Sequence, residues 1–89
     1  MPALASFYRI IIYMYFFDED QHHAPHIHAK YSGDEAVIEI PSGTVLAENI
    51  PGNKLKLVQA WIEIHADELM ANWNLASKGR TINNIEPLR

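Results

Sequence analysis

A chain of 89 residues with 48% hydrophobic content, no cysteine and a formal net charge of −4 has room for one domain, residues 1–89, and is too apolar to stay disordered. Without cysteine it can form neither a disulfide nor a thiolate metal site. Without a basic surplus it lacks the phosphate-neutralising surface of an avid, sequence-independent duplex-DNA binder. The charge is uneven: residues 1–53 hold seven acidic and two basic groups, residues 54–89 four acidic and five basic. A core this small leaves a homodimer interface as an expectation. The missing thiols fit a cytoplasmic protein.

Residues 7–17, rich in Ile, Tyr and Phe, read as the first strand. Both of its faces are apolar or aromatic, which predicts a central strand covered on two sides. Arg9 stands out there and needs water or an anion. The run Ile10–Phe17 is shorter than the roughly 20 residues of a membrane span. It also lacks the flanks of a signal peptide, so no membrane partner is expected.

Three acids, Asp18, Glu19 and Asp20, lead into the densest chemical feature of the chain. Four of the five histidines, His22, His23, His26 and His28, fall within seven residues. Pro25 forces extended backbone at Ala24 and offers no N–H. Residues 26–31 then alternate as a second strand. His26, His28 and Lys30 share one face, and Ile27, Ala29 and Tyr31 the other. Ser32-Gly33-Asp34 marks a turn, residues 35–40 a third strand, Pro41-Ser42-Gly43 another turn, and residues 44–50 a weaker fourth strand. Connections this short predict an antiparallel meander.

After Pro51-Gly52, apolar residues recur at helical spacing from Leu55 to Leu75, with Asn53 as the expected N-cap and Gly79 as the stop. One helix over 54–78 would run roughly 37 Å, with a kink or break expected near 72–74. Its wide apolar arc leaves two readings open: deep packing on the sheet, or a homodimer seam through Trp61, Ile64 and Trp73. Residues 80–89 read as an extended arm. The fold class is therefore α+β: a four-stranded antiparallel meander on one long C-terminal helix, with an extended C-terminal arm.

The histidines support two kinds of chemistry. His22, His26 and His28 could hold zinc or another divalent metal, with His65, Glu35 or Asp18 completing the shell. Lys30 on the same face opposes a metal and favours an anion. Two imidazoles can then act as general acid and base, while Lys30 and Arg9 stabilise a phosphorane-like transition state. That set suffices for metal-independent cleavage of RNA through its 2′-hydroxyl. A bland reading stands beside both: a polar strand whose histidines satisfy neighbouring carboxylates. For His65 alone, at the edge of the core, the bland reading is the stronger.

Phe7-Tyr8, the segment Ile12–Phe16, Pro25-His26-Ile27-His28-Ala29, Trp61–His65 with Glu68, Leu69 and Trp73, and Ile85-Glu86-Pro87-Leu88 together resemble the small bacterial family called domain of unknown function 4160. The resemblance covers nearly the whole chain and is most specific at Pro-His-x-His. In that family a histidine and two prolines precede the His-x-His. Here His22 matches the first histidine, Ala24 replaces one proline, and His23 is additional. The resemblance implies one half of a toxin–antitoxin-like module, because such genes are paired with another small gene whose product would be the partner. It also raises His65 with Glu68 as a further member of the site. The expected function is thus a histidine-lined site, formed by His26, His28, Lys30, His22, Arg9 and His65, acting on RNA. The alternatives are a histidine-ligated metal protein and a non-catalytic protein-interaction module.

Overall fold

The computed structural model describes residues 3–15 and 24–88. His22, His23 and the acidic run 18–20 lie outside the described residues. The fold is α+β, with five antiparallel strands and two helices where the sequence predicts four strands and one helix. Strands β1 (Ala5–Phe7), β2 (Ile10–Tyr13), β3 (His26–Tyr31), β4 (Asp34–Glu39) and β5 (Val45–Ala47) pair in sequence order, followed by α1 (Gly52–Ile64) and α2 (Ala66–Ser77).

The extra strand comes from a hairpin hidden in the first apolar run. Phe7 pairs with Ile10, and the two residues between them, Tyr8 and Arg9, turn the chain with φ of 50° and 67°. Two left-handed residues in a two-residue loop match the twist of the strands they join, a position that normally selects Asn-Gly. Neither Tyr nor Arg signals such a turn, and each is strained there by about 1–2 kcal/mol. The turn also resets the alternation. Phe7, Ile10, Ile12 and Met14 are buried, whereas Ile11 is exposed. The strand expected to be covered on both sides therefore has one covered face.

The second hairpin forms where the sequence places a turn, but its loop is Ser32-Gly33 alone, and Asp34, expected in the turn, opens β4. Tyr31 pairs with Asp34 around Ser32-Gly33, so that His28 faces Val37 and Lys30 faces Glu35. Pro25 precedes β3, where its missing N–H breaks no ladder, and its carbonyl accepts from Ile40 N–H over 2.9 Å. Ile27, Ala29, Ala36 and Ile38 pack with Val58, Trp61, Ile62 and Leu69 in one core.

The helix breaks at His65 (φ −111°, ψ 24°), not near residues 72–74, and α1 begins at Gly52 after Pro51, so Asn53 is not its cap. The break preserves hydrogen bonding: His65 N–H donates to the Trp61 carbonyl, and the His65 carbonyl accepts from Leu69 N–H. Asp67 and Glu68 occupy the first turn of α2, where the helix dipole favours acids.

The C-terminal segment is an extended arm. Ile85 N–H donates to the Leu4 carbonyl, Trp61 Nε1–H donates to the Glu86 carbonyl over 2.8 Å, and Ile85 is buried. Of the three side chains expected in a dimer seam, Trp61 is wholly buried and Trp73 partly so; Ile64 is exposed. No helix among the described residues is long and apolar enough to cross a membrane.

Candidate functional site

The alternation of β3 puts His26 and His28 side by side, with ring centroids 5.2 Å apart in an edge-on arrangement. The two histidines are more enclosed than a polar, solvated strand face would be. His26 is 0% exposed and His28 8%. Trp73 of α2 packs 5.3 Å from the His26 ring, and Tyr15 meets His28 edge-on at 4.7 Å.

Each imidazole is held at Nδ1. His26 Nδ1 donates to the Ala24 carbonyl over 2.7 Å, which fixes a proton on that nitrogen. His28 Nδ1 lies 2.8 Å from Glu35 Oε2, a carboxylate oxygen that can only accept when ionised. Both rings therefore direct Nε2 away from these partners. The His28–Glu35 contact follows from register. The two-residue turn sets Glu35 opposite Lys30, which puts it diagonally across from His28, within reach of a long side chain.

Lys30 continues the same face. Its ammonium sits 5.0 Å from the centre of the Tyr13 ring and 5.8 Å from that of Tyr15, rings that are themselves stacked. A hydrogen bond to the Tyr15 hydroxyl, and then attraction to the same group, hold the ammonium above the ordinary lysine value. Attraction to Glu35 and Tyr13 adds to this, and partial desolvation opposes it. The cation is thus positioned and fully charged at neutral pH.

Arg9, at the β1–β2 turn, joins Lys30 along a groove of about 340 Å³ that Glu35 also lines. The fold thereby brings His26, His28, Lys30 and Arg9 onto two adjoining regions of one sheet face. His65 is elsewhere in the contact pattern. Its Nδ1 is 2.6 Å from Glu68 Oε1, and its ring is 5.7 Å from Trp61. Glu68, three residues past the helix break, reaches back as the glutamate of a capping box does, here to the side chain of the cap residue. His22 lies outside the described residues. Among the described residues no group of three His, Cys, Asp or Glu side chains could hold a metal ion.

Sequence reasoning weighed Glu35 only as a metal ligand and overlooked Tyr13 and Tyr15 as partners of Lys30. The Ser32-Gly33 turn carried the signal for Glu35, because a two-residue hairpin loop fixes the register. No comparable signal pointed to the tyrosines, whose pairing with β3 depends on the hidden first hairpin.

A family model described as a domain of unknown function, DUF4160, matches residues 10–74, well over half of the chain and including both strands of the histidine site. No curated protein and no solved structure matches.

Proposed function

The chain belongs to the family described as a domain of unknown function, DUF4160, and on that premise we propose that it acts on RNA, as one half of a toxin–antitoxin-like pair. The observation that carries the reading is the carboxylate-held imidazole of His28 beside the Lys30 ammonium. A base oriented by a carboxylate and set next to a fixed cation is the minimum machinery for transesterification at phosphorus.

In this reading His28 accepts the 2′-hydroxyl proton at Nε2. The 2′-oxygen bonds to phosphorus, and the bond from phosphorus to the 5′-oxygen breaks. The departing alkoxide takes a proton from the Lys30 ammonium, and a 2′,3′-cyclic phosphate remains. Glu35 holds the His28 ring and compensates the imidazolium that forms. Arg9 attracts phosphate along the groove. His26, wholly enclosed, acts as a positioning residue through its contact with His28.

The test is incubation of the purified chain with a labelled mixed-sequence RNA in the presence of a chelator. Cyclic-phosphate ends that disappear with His28→Asn support the reading. Failure to cleave, or equal cleavage of the 2′-deoxy strand, rejects it. For the pairing, co-expression with the product of the adjacent gene should relieve a growth arrest that His28→Asn also abolishes.

One observation favours a second reading, a metal-binding protein. Histidines that ligate through Nε2 characteristically donate Nδ1–H to a carbonyl or carboxylate, as His26 and His28 do here. His22 would be the third ligand. Stoichiometric zinc, nickel or iron in the purified protein, lost on replacing His26 and His28, would establish it.

A further inference from the structure

Two hairpin turns border the groove beside the histidine site, and neither is needed for proton transfer. The β1–β2 turn brings Arg9, and the β3–β4 turn brings Ser32, Gly33 and Asp34, with Ile11 and Tyr31 forming the apolar walls. We propose that this groove is a single-nucleotide subsite, with Arg9 and Lys30 taking the phosphate and Asp34 selecting a base that presents two donors, as guanine does. The proposal rests on the RNA reading and names the substrate preference of that site.

Four observations converge. The first is size: at about 340 Å³ the groove lies at the small end of the roughly 300–1,000 Å³ typical of small-ligand sites. It has room for one nucleotide, not a duplex.

The second is the placement of charge. Lys30 and Glu35 line the groove and also belong to the His28 centre. A phosphate lying along Lys30 is thereby next to the imidazole that would act on it.

The third is the state of the remaining charged groups. Among the described residues the Arg9 guanidinium makes no ion pair or hydrogen bond. Glu35 is engaged by His28, and among the described residues Asp34 has only Asn49 on Oδ1, at 3.3 Å. Asp34 Oδ2 is therefore open to a donor. A carboxylate only accepts, so it rewards a base edge of N–H groups and penalises one of lone pairs. Guanine offers N1–H and the 2-amino group side by side, a bidentate match. Uracil sets two carbonyl acceptors around a single N–H.

The fourth is strain. Arg9 holds a left-handed conformation at φ 67° that glycine would adopt freely, and Ser32 does so at φ 50°. Strained backbone of this kind concentrates at functional sites, where the side chain is needed at that point. At Arg9 the side chain gained is a guanidinium on a groove.

The experiment is titration of the full chain with the four nucleoside 5′-monophosphates and with guanosine, followed by calorimetry. The expected result is saturable binding with GMP roughly tenfold tighter than UMP, the scale of one bidentate base contact. Asp34→Asn should remove the preference. Arg9→Gln should weaken all four monophosphates by a similar factor and leave guanosine unchanged. Both positions are exposed, and denaturant midpoints close to that of the parent chain check that the variants fold. Equal affinity for the four bases, no saturable binding, or indifference to Arg9→Gln would overturn the subsite. Because binding is read without turnover, GMP binding that survives in a chain unable to cleave RNA would uphold the subsite while rejecting the catalytic reading. Cleavage without base preference would do the reverse.

Discussion

Glu35 lies diagonally across the β3–β4 ladder from His28, and its Oε2 approaches His28 Nδ1 to 2.8 Å. The pair joins an almost buried imidazole to a carboxylate whose side chain is 43% exposed. Replacing Glu35 by Gln keeps an acceptor at this position and removes the charge. RNA cleavage should fall by about a hundredfold or more, since loss of the carboxylate charge that orients a general-base histidine costs up to about 10⁴ in turnover where that carboxylate is buried. Stability should change by less than about 0.5 kcal/mol. Glu35→Ala should do both: lose activity and destabilise the fold by about 1 kcal/mol, because a nearly buried donor loses its partner. Urea unfolding beside the cleavage assay separates these effects.

The Tyr15–Lys30 contact gives a prediction with a defined sign. Tyr15 raises the folded-state value of Lys30 above that of the unfolded chain. A raised value means that the contact contributes stability below the unfolded lysine value and loses it as pH rises through the folded value. Tyr15→Phe removes the leading cause, so the Lys30 ammonium should titrate at lower pH in the variant than in the parent chain. The side-chain NMR signals of Lys30, followed from neutral pH into the alkaline range, measure this directly. Coincident titration curves would mean that the hydroxyl does not hold the ammonium.

How much of this was legible depended on whether a turn announced itself. Ser32-Gly33-Asp34 did, and the alternation before it gave the shared face of His26, His28 and Lys30; the register of β3 and β4 did not come with it, because Asp34, expected in the turn, already pairs with Tyr31. Tyr8-Arg9 did not: two bulky residues in left-handed backbone resemble the interior of a strand, so one strand was read where the chain folds a hairpin. The helix break was legible in principle. Asp67 and Glu68 are first-turn acids of a new helix, but they sit inside an uninterrupted apolar period that favours one long helix. The enclosure of His26 was not legible, because Trp73 reaches it from α2, whose direction is set by the bend at His65.

Asn72 ties that second helix to the arm. It is 2% exposed, its Nδ2 donates to the Asn83 carbonyl over 2.8 Å, and its Oδ1 accepts from Asn83 N–H over 2.9 Å. The side-chain amide thus satisfies both backbone groups of one arm residue. Asn72→Ala removes both bonds and should destabilise the fold by about 1–3 kcal/mol, given roughly 0.5–1.5 kcal/mol net for each hydrogen bond, because Asn83 is exposed and water can replace the lost partner. Asn72→Asp keeps the acceptor but sets a carboxylate against the Asn83 carbonyl, so it should rescue less than half of that loss. Denaturant midpoints for the two variants check the ordering.

Arg9→Gly sets stability against binding at a single position. At φ 67° an arginine carries left-handed strain that glycine does not. The folded state should therefore gain about 1 kcal/mol from the substitution, less the extra chain entropy that glycine brings to the unfolded state. A net stabilisation of a few tenths of a kcal/mol is the expected outcome, seen as a higher denaturant midpoint with an unchanged slope. The same variant removes the guanidinium from the groove, so nucleotide binding should weaken as it does in Arg9→Gln. A residue serving only the turn would give a variant that is more stable and equally functional. A residue kept for its side chain gives one that is more stable and less functional. Measuring both quantities on one protein preparation decides between them, since loss of binding in a chain that has become more stable cannot be attributed to unfolding.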